Sequence, residues 1–281
     1  MSADLGDLEH RLSRVSREYS GTCAWALFDL GSRTSIAHDA DAVMPTASLI
    51  KVPVLVALYT AVAAGRFALE DRITYGPEHR CLGSGVLSKL AFGVELCVRD
   101  AAVLMMTISD NSATNMCIDL VGIDAINRTM RDLRLEQTTL FLRLGDGSAG
   151  LDARKMSVST AGEMVRTLTL IAQHECVSAE SSEDMLRIMR RSDYRHELSL
   201  ELPWNEMNML GDDPKAAWVA EKGGSFLNGV RTGGAVFKGP RGMFVMSAFC
   251  EGGTGPGTGR SSEGNHMLGR LGKIAWDALA A

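Results

Sequence analysis

Between residues 4 and 19, Leu5, Leu8, Leu12 and Val15 recur at three- and four-residue steps, which predicts an amphipathic helix with one buried face. The stretch "GTCAWALFDL" (21–30) predicts a strand, and "RTSIAHDA" (33–40) predicts its partner across a "GS" turn. "MPTASLIKVPVLVALYTAVAAG" (44–65) predicts a long apolar helix closed by Gly65, with Pro53 early enough to be tolerated. From about 66 to 200 the spacing is mostly helical, as in "LCVRDAAVLMMTIS", "SATNMCIDLVG", "DAINRTMRDL", "SVSTAGEMVRTLTLIAQ" and "SEDMLRIMRRSD". Strands return in "AAWVAEKGG", "VRTGGAVF" and "RGMFVMSAF", the last two joined by a "KGPRG" turn, and "EGNHMLGRLGKIAWDALAA" predicts a closing helix.

Strands at both ends around a helical middle predict an α+β fold in which one antiparallel sheet, flanked by helices, is built from the two termini. The expected division is an α/β subdomain of residues 1–64 and 203–281 and an all-helical subdomain of residues 65–202. The junction of two such layers forms a cleft, a usual place for a small-molecule site.

Composition narrows the function classes. Of 281 residues, 46% are hydrophobic and 22% charged, which suits a globular chain with a sizeable core. A net charge of -5 without any long Lys/Arg run argues against a nucleic-acid partner. No apolar run reaches a membrane span, so no membrane partner is expected. The opening segment "MSADLGDLEHRLSRVSREYS" lacks the apolar core of a secretion signal, so a cytoplasmic location is expected for the sequence as it stands, and a periplasmic or secreted one if a leader was removed. The six cysteines lack a C-x-x-C pair and are expected to be buried free thiols. The six histidines show no ligand spacing; no metal and no cofactor are expected. The glycine-rich "EGGTGPGTGR" lacks a phosphate-binding G-K-[ST] and reads as a connector.

Within the apolar helix one charged residue interrupts the pattern. Lys51 follows Ser48 by three residues, one helical turn, so the two side chains share a face. A serine hydroxyl becomes a nucleophile when a base takes its proton. Burial and the helix N-terminus both disfavour a lysine cation, so a neutral Lys51 amine could serve. Taken alone, the pair is also compatible with an N-cap serine and a snorkelling lysine. Two further clusters follow. "ISDNSATN" places Ser109, Asp110 and Asn111 in a tight turn between helices, more polar residues than one cap requires. "AEKGG" ends a strand with Lys222, Gly223 and Gly224; glycine there allows close backbone approach, and Arg231 nine residues beyond Lys222 could pair with a carboxylate.

Ser-x-x-Lys, then Ser-Asp-Asn, then Lys-Gly-Gly, in that order and at these intervals, resemble the class A serine β-lactamase family and its penicillin-binding relatives. Pro45 ahead of the serine and the run "SDNSATNMCIDLVG" add to the likeness, which covers roughly residues 20–280. The resemblance implies the β-lactamase/transpeptidase-like fold and a set of roles. Ser48 is implied as nucleophile, Lys51 as its base, and Ser109 as a proton shuttle held in the field of Lys222. Asn111 and Gly224 would contact substrate, the N–H groups of Ser48 and Ser225 would form the oxyanion hole, and Arg231 would bind a substrate carboxylate. The partner implied is a small β-lactam, amide or ester carrying a carboxylate, acted on by a monomer. "SGVL" (84–87), with Gly83 and Gly85 about Ser84, falls where the family has a loop at the cleft mouth and reads as a turn.

Two departures qualify the likeness. The loop "TLFLRLGDGSAGLDARKMSVST" contains neither glutamate nor asparagine, whereas class A enzymes position a deacylating water there with a Glu-x-x-x-Asn pair. The family interval lands on Gly145 beside Asp146, a shorter acid that is a candidate deacylation base but also fits an ordinary Asp-Gly turn. Position 223 is glycine where threonine or serine is usual. The expected function is therefore a serine hydrolase that forms an acyl-enzyme with β-lactams or related amides and esters, with slow deacylation. The alternatives are a penicillin-binding-type D-amino-acid peptidase, esterase or acyltransferase, and a non-turnover β-lactam-binding protein.

Overall fold

The computed structural model describes residues 4–204, 207, 216–255 and 261–281. In chain order the elements are α1 (Leu5–Ser16), β1 (Thr22–Asp29), β2 (Thr34–His38), β3 (Met44–Pro45), α2 (Lys51–Ala63), β4 (Arg72–Thr74) and β5 (Glu95–Cys97). Then come α3 (Val98–Thr107), α4 (Asn111–Val121), α5 (Ile123–Asp132), β6 (Thr139–Leu140), β7 (Ser157–Ser159), α6 (Ala161–Ala172) and α7 (Ala179–Arg190). The chain closes with β8 (Trp218–Ser225), β9 (Arg231–Lys238), β10 (Met243–Glu251) and α8 (Glu263–Leu279).

The five-stranded sheet has the order β2-β1-β10-β9-β8, with antiparallel pairing throughout. Its strands come from both ends of the chain, the α+β arrangement expected. Alternation along β1 supplies two cores: Trp25 and Leu27 face one side with α1 and α8, while Ala24 and Ala26 face the other with the helical layers. The helix α6, expected inside the helical unit, packs directly on β1, β9 and β10.

Two details differ from the sequence expectation. The expected helix over 44–65 is divided into β3, a 3-10 turn over Ala47–Ile50, and α2 beginning at Lys51. The region 66–200 also carries short strands: β4 pairs with β5, and β7 pairs with both β3 and β6. Strands of two or three residues are too short to display a period. All six cysteines are free. The connector "EGGTGPGTGR" lies partly outside the described residues.

Candidate active site

The turn that carries Ser48 is built under backbone strain. Ala47 takes φ +45° and Ser109 takes φ +54°, both in the left-handed region that non-glycine residues avoid. Behind them, Asp110 fixes the neighbouring chain. Its carboxyl group caps α4 through Ala113 N (2.9 Å) and holds the loop at the cleft mouth through Val86 N (2.6 Å) and Leu87 N (2.9 Å). Gly85, at φ +101°, lies so close to Asp110 that a side chain there would overlap it. Asp110, taken from the sequence as part of a polar cluster, is thus a brace for the loop that carries Ser84.

Lys51 is completely buried, and its Nζ has four oxygen neighbours. Two can only accept: the carbonyl of Ser109 (2.7 Å) and Oδ1 of Asn111 (2.8 Å). Two are hydroxyls: Ser109 Oγ (2.8 Å) and Ser48 Oγ (3.1 Å). A neutral amine suits this set, with two N–H groups for the two obligate acceptors and a lone pair for a hydroxyl proton. Burial, and next the positive charge of Lys222, hold the Lys51 pKa well below that of an ordinary lysine. Lys222 is also buried and donates to Gly223 O (2.6 Å) and Ser109 Oγ (3.1 Å). Burial lowers its pKa to about 8, opposed by Glu197 and Glu221. Of the two lysines, Lys222 is the better placed to keep its proton at neutral pH.

The strand β8 passes against the turn that carries Ser48. A Cβ at Gly224 would sit 2.7 Å from Ser48 N and 2.8 Å from Thr46 O, so only glycine allows this approach. The last residue of β8, Ser225, lines the cleft beside Ser48. The cleft has two parts, and Ser48 borders both. The larger, of about 390 Å³, is lined by Leu82, Asn111, Leu144, Asp146 and Phe226 among others. The smaller, of about 180 Å³, is lined by Ser109, Tyr194, His196, Glu197, Lys222 and Gly223 among others. Ser84 borders both parts as well.

The loop after β6 is pinned at Leu144, whose N–H and C=O both bond to the side chain of Asn115 at 3.0 Å. This brings Asp146 into the lining of the larger part, where it is the only carboxylate among the described residues. Asp146 is fully exposed, and its Oδ1 accepts from Ser148 N (2.9 Å) and Ser148 Oγ (2.6 Å). Those bonds push its pKa below the usual carboxylate value, which weakens it as a base.

Arg231 is where expectation and structure part. It does not line either part of the cleft. Its guanidinium is buried and donates to Ser262 Oγ (3.1 Å), Phe226 O (2.9 Å) and Val230 O (2.6 Å). The reason is strand alternation. The next residue, Thr232, turns toward the Ser48 turn and donates to Thr46 O (2.8 Å), so Arg231 points to the opposite face, against Gly264 of α8.

Several side chains at the site were not singled out from the sequence. Cys81 borders the larger part, but burial raises its thiol pKa, so it acts as wall. Asn115 anchors the loop. Glu197 reaches the smaller part from the segment between α7 and β8, and its carboxyl group fills the space that a side chain at 223 would need. The glycine of Lys222-Gly223-Gly224, visible in the sequence as a departure, was the available signal of that neighbour. Among the described residues no group of side chains could hold a metal ion.

A family model described as "Beta-lactamase enzyme family" matches residues 7–279. The chain belongs to this family. Its structure is similar to a beta-lactamase from Sphaerobacter thermophilus DSM 20745 at 26% identity, covering 99% of this chain and 97% of that one with a TM-score of 0.84. It is also similar to a point mutant of PBP-A solved as an acyl-enzyme complex with penicillin-G, at 25% identity over 99% of this chain and 98% of that one, TM-score 0.82. An ancestral class A beta-lactamase at 21% identity shares the fold, covering 97% of this chain and 100% of that one with a TM-score of 0.82. The chain is thus a serine β-lactamase-like hydrolase by family and fold.

Proposed function

We propose that this protein attacks β-lactams, or related amides and esters, with Ser48 to form a covalent acyl-enzyme, and that it releases the acyl group slowly. The observation that carries the first half is Lys51 Nζ 3.1 Å from Ser48 Oγ, buried and with a depressed pKa. The neutral amine takes the Ser48 proton as Oγ attacks the carbonyl carbon. The developing oxyanion is met by the N–H groups of Ser48 and Ser225; donors of this kind contribute about 3 kcal/mol each to the transition state. Ser109, bonded to both lysines, relays a proton to the leaving atom, and Lys222 stabilises the negative charge that builds there. Asn111 orients Lys51 through its Oδ1, and its amide nitrogen donates to Leu82 O (3.0 Å), bracing the wall of the acyl side. The acyl-enzyme formed with penicillin-G by the PBP-A mutant, a quarter identical to this chain, supports the same intermediate here.

Slow release rests on the loop. Its one acid in the cleft, Asp146, is already bonded by Ser148 and has a lowered pKa. A positioned general base is worth about two to four orders of magnitude in rate, and hydrolysis of the ester goes without it.

Intact-mass spectrometry over time, with a penicillin, a cephalosporin and an activated ester, tests both halves. An adduct that forms on wild type, persists, and is absent from Ser48→Ala is expected. Wild type that never gains mass, shows no turnover and matches Ser48→Ala would remove the nucleophile assignment.

A further inference from the structure

The smaller part of the cleft is lined by Ser109 and Lys222 together with Glu197. Given the proton relay through Ser109, the leaving portion of the substrate occupies this part, while the acyl side chain takes the larger one. Among the described residues its charged and titratable lining groups are Lys222, Glu197 and His196. Arg231, the second cation that the sequence suggested for this end, faces the other side of the sheet.

Glu197 is a built part of this pocket. It is only 7% exposed, and its Oε2 accepts from His196 N (3.2 Å). Its other oxygen has no hydrogen-bond partner among the described residues and is left to serve a ligand. Glycine at 223 and the carboxyl group of Glu197 are mutually dependent, because any side chain at 223 would overlap that group. Burial raises the Glu197 pKa while Lys222 opposes the rise. Behind it, Glu221 is held to about 8 by burial and by the charge of Glu197. Of the two acids it is Glu197 that lines the pocket with Lys222, whereas Glu221 is buried outside the pocket lining.

We propose that Glu197 is a specificity residue: it selects acyl donors whose leaving portion is uncharged or cationic and offers a hydrogen-bond donor, against those carrying a carboxylate there. A substrate carboxylate would meet Glu197 in the same pocket as Lys222, and like charges brought together cost affinity. An amide or ammonium would instead use the open acceptor. This inference rests on the hydrolase reading for the placement of the leaving portion, and it reverses the carboxylate expected from the sequence resemblance.

The test compares two thioesters with the same phenylacetylglycyl group, one of mercaptoacetamide and one of mercaptoacetate. The ratio of their kcat/KM values, amide over carboxylate, is expected to be at least about fivefold higher for wild type than for Glu197→Gln, mainly through the KM of the anionic thioester. A smaller change, or one of opposite sign, overturns the proposal. Calorimetric affinities of both thioesters for Ser48→Ala provide a reading without chemistry and without altering Glu197, and they are expected to rank the amide first. The reverse or equal ranking overturns it too. Failure of Ser48 to be acylated by either thioester would count against the hydrolase reading alone, since the Ser48→Ala affinities still decide the charge preference.

Discussion

Lys51 and Lys222 meet at one oxygen: Ser109 Oγ lies 2.8 Å from Nζ of the first and 3.1 Å from Nζ of the second. Two buried amines this close raise the cost of each other's charge, and each lowers the other's affinity for a proton. In the proposed mechanism this gives a division of labour across a single hydroxyl, with an uncharged base on the Ser48 side and a cation on the leaving-group side. Such linked groups titrate as a unit, so activity reports the pair.

The acylation rate should consequently follow a bell in pH. On the acid side it falls as Lys51, whose pKa is depressed, gains a proton and can no longer accept one from Ser48. On the alkaline side it falls near pH 8 as Lys222 loses its charge. Stopped-flow acylation with a chromogenic cephalosporin between about pH 5 and 10 provides the profile. Lys222→Ala should lower the plateau and erase the alkaline limb. An alkaline limb that persists unchanged in Lys222→Ala would show that another group sets it.

Gly224 is the point where β8 touches the turn that carries Ser48. A methyl group there would press on Ser48 N and Thr46 O, both backbone atoms that cannot rotate away. Gly224→Ala should therefore displace Ser48 relative to the Ser225 N–H and reduce the acylation rate by about 100-fold. Adduct formation timed by intact mass, with the fold verified by circular dichroism, gives the answer. Acylation within a few-fold of wild type would mean that the oxyanion donors tolerate the shift.

The three motifs were legible because each is a short pattern whose spacing survives changes in local geometry. Ser48 sits in a 3-10 turn and Lys51 opens α2, so the expected single helix is absent, yet three residues still place Oγ and Nζ in contact. The direction of a side chain was harder to read. Whether Arg231 or Thr232 faces the cleft depends on the parity of β9 against the Ser48 turn, which no local pattern encodes. Glu197 lies in "RHELSLELPW", without a clear period, and reaches the pocket only because Glu197 and Leu198 lie against Gly223 of β8 and Gly233 of β9. The residue that records its presence is the glycine opposite.

The Asp110 carboxyl group is 1% exposed and accepts three backbone N–H groups from two separate segments. Removing it in Asp110→Ala leaves these donors without a partner and should cost about 3 kcal/mol of stability. Thermal unfolding should show this as a drop on the order of 6–12 °C. Because the loop 84–87 would also lose its tether, amide hydrogen exchange at Val86 and Leu87 should accelerate. Unchanged exchange there would show that the loop is held by other contacts.

Asp146 decides how release of the acyl group is read. It faces the same cavity as Ser48, but Ser148 occupies its Oδ1 from both the backbone and the hydroxyl, and those bonds favour the ionised, weakly basic form. If it has no part in positioning water, Asp146→Asn keeps the shape of the side chain and should leave the decay of the acyl-enzyme within about threefold of wild type, against the hundredfold or greater loss expected of a general base. Adduct lifetimes by intact mass after removal of excess ligand distinguish the two. A lifetime extended by two orders of magnitude in Asp146→Asn would make Asp146 the deacylating base. It would also require the Ser148 bonds to open in the acyl-enzyme, because Oδ1 is engaged in the free protein.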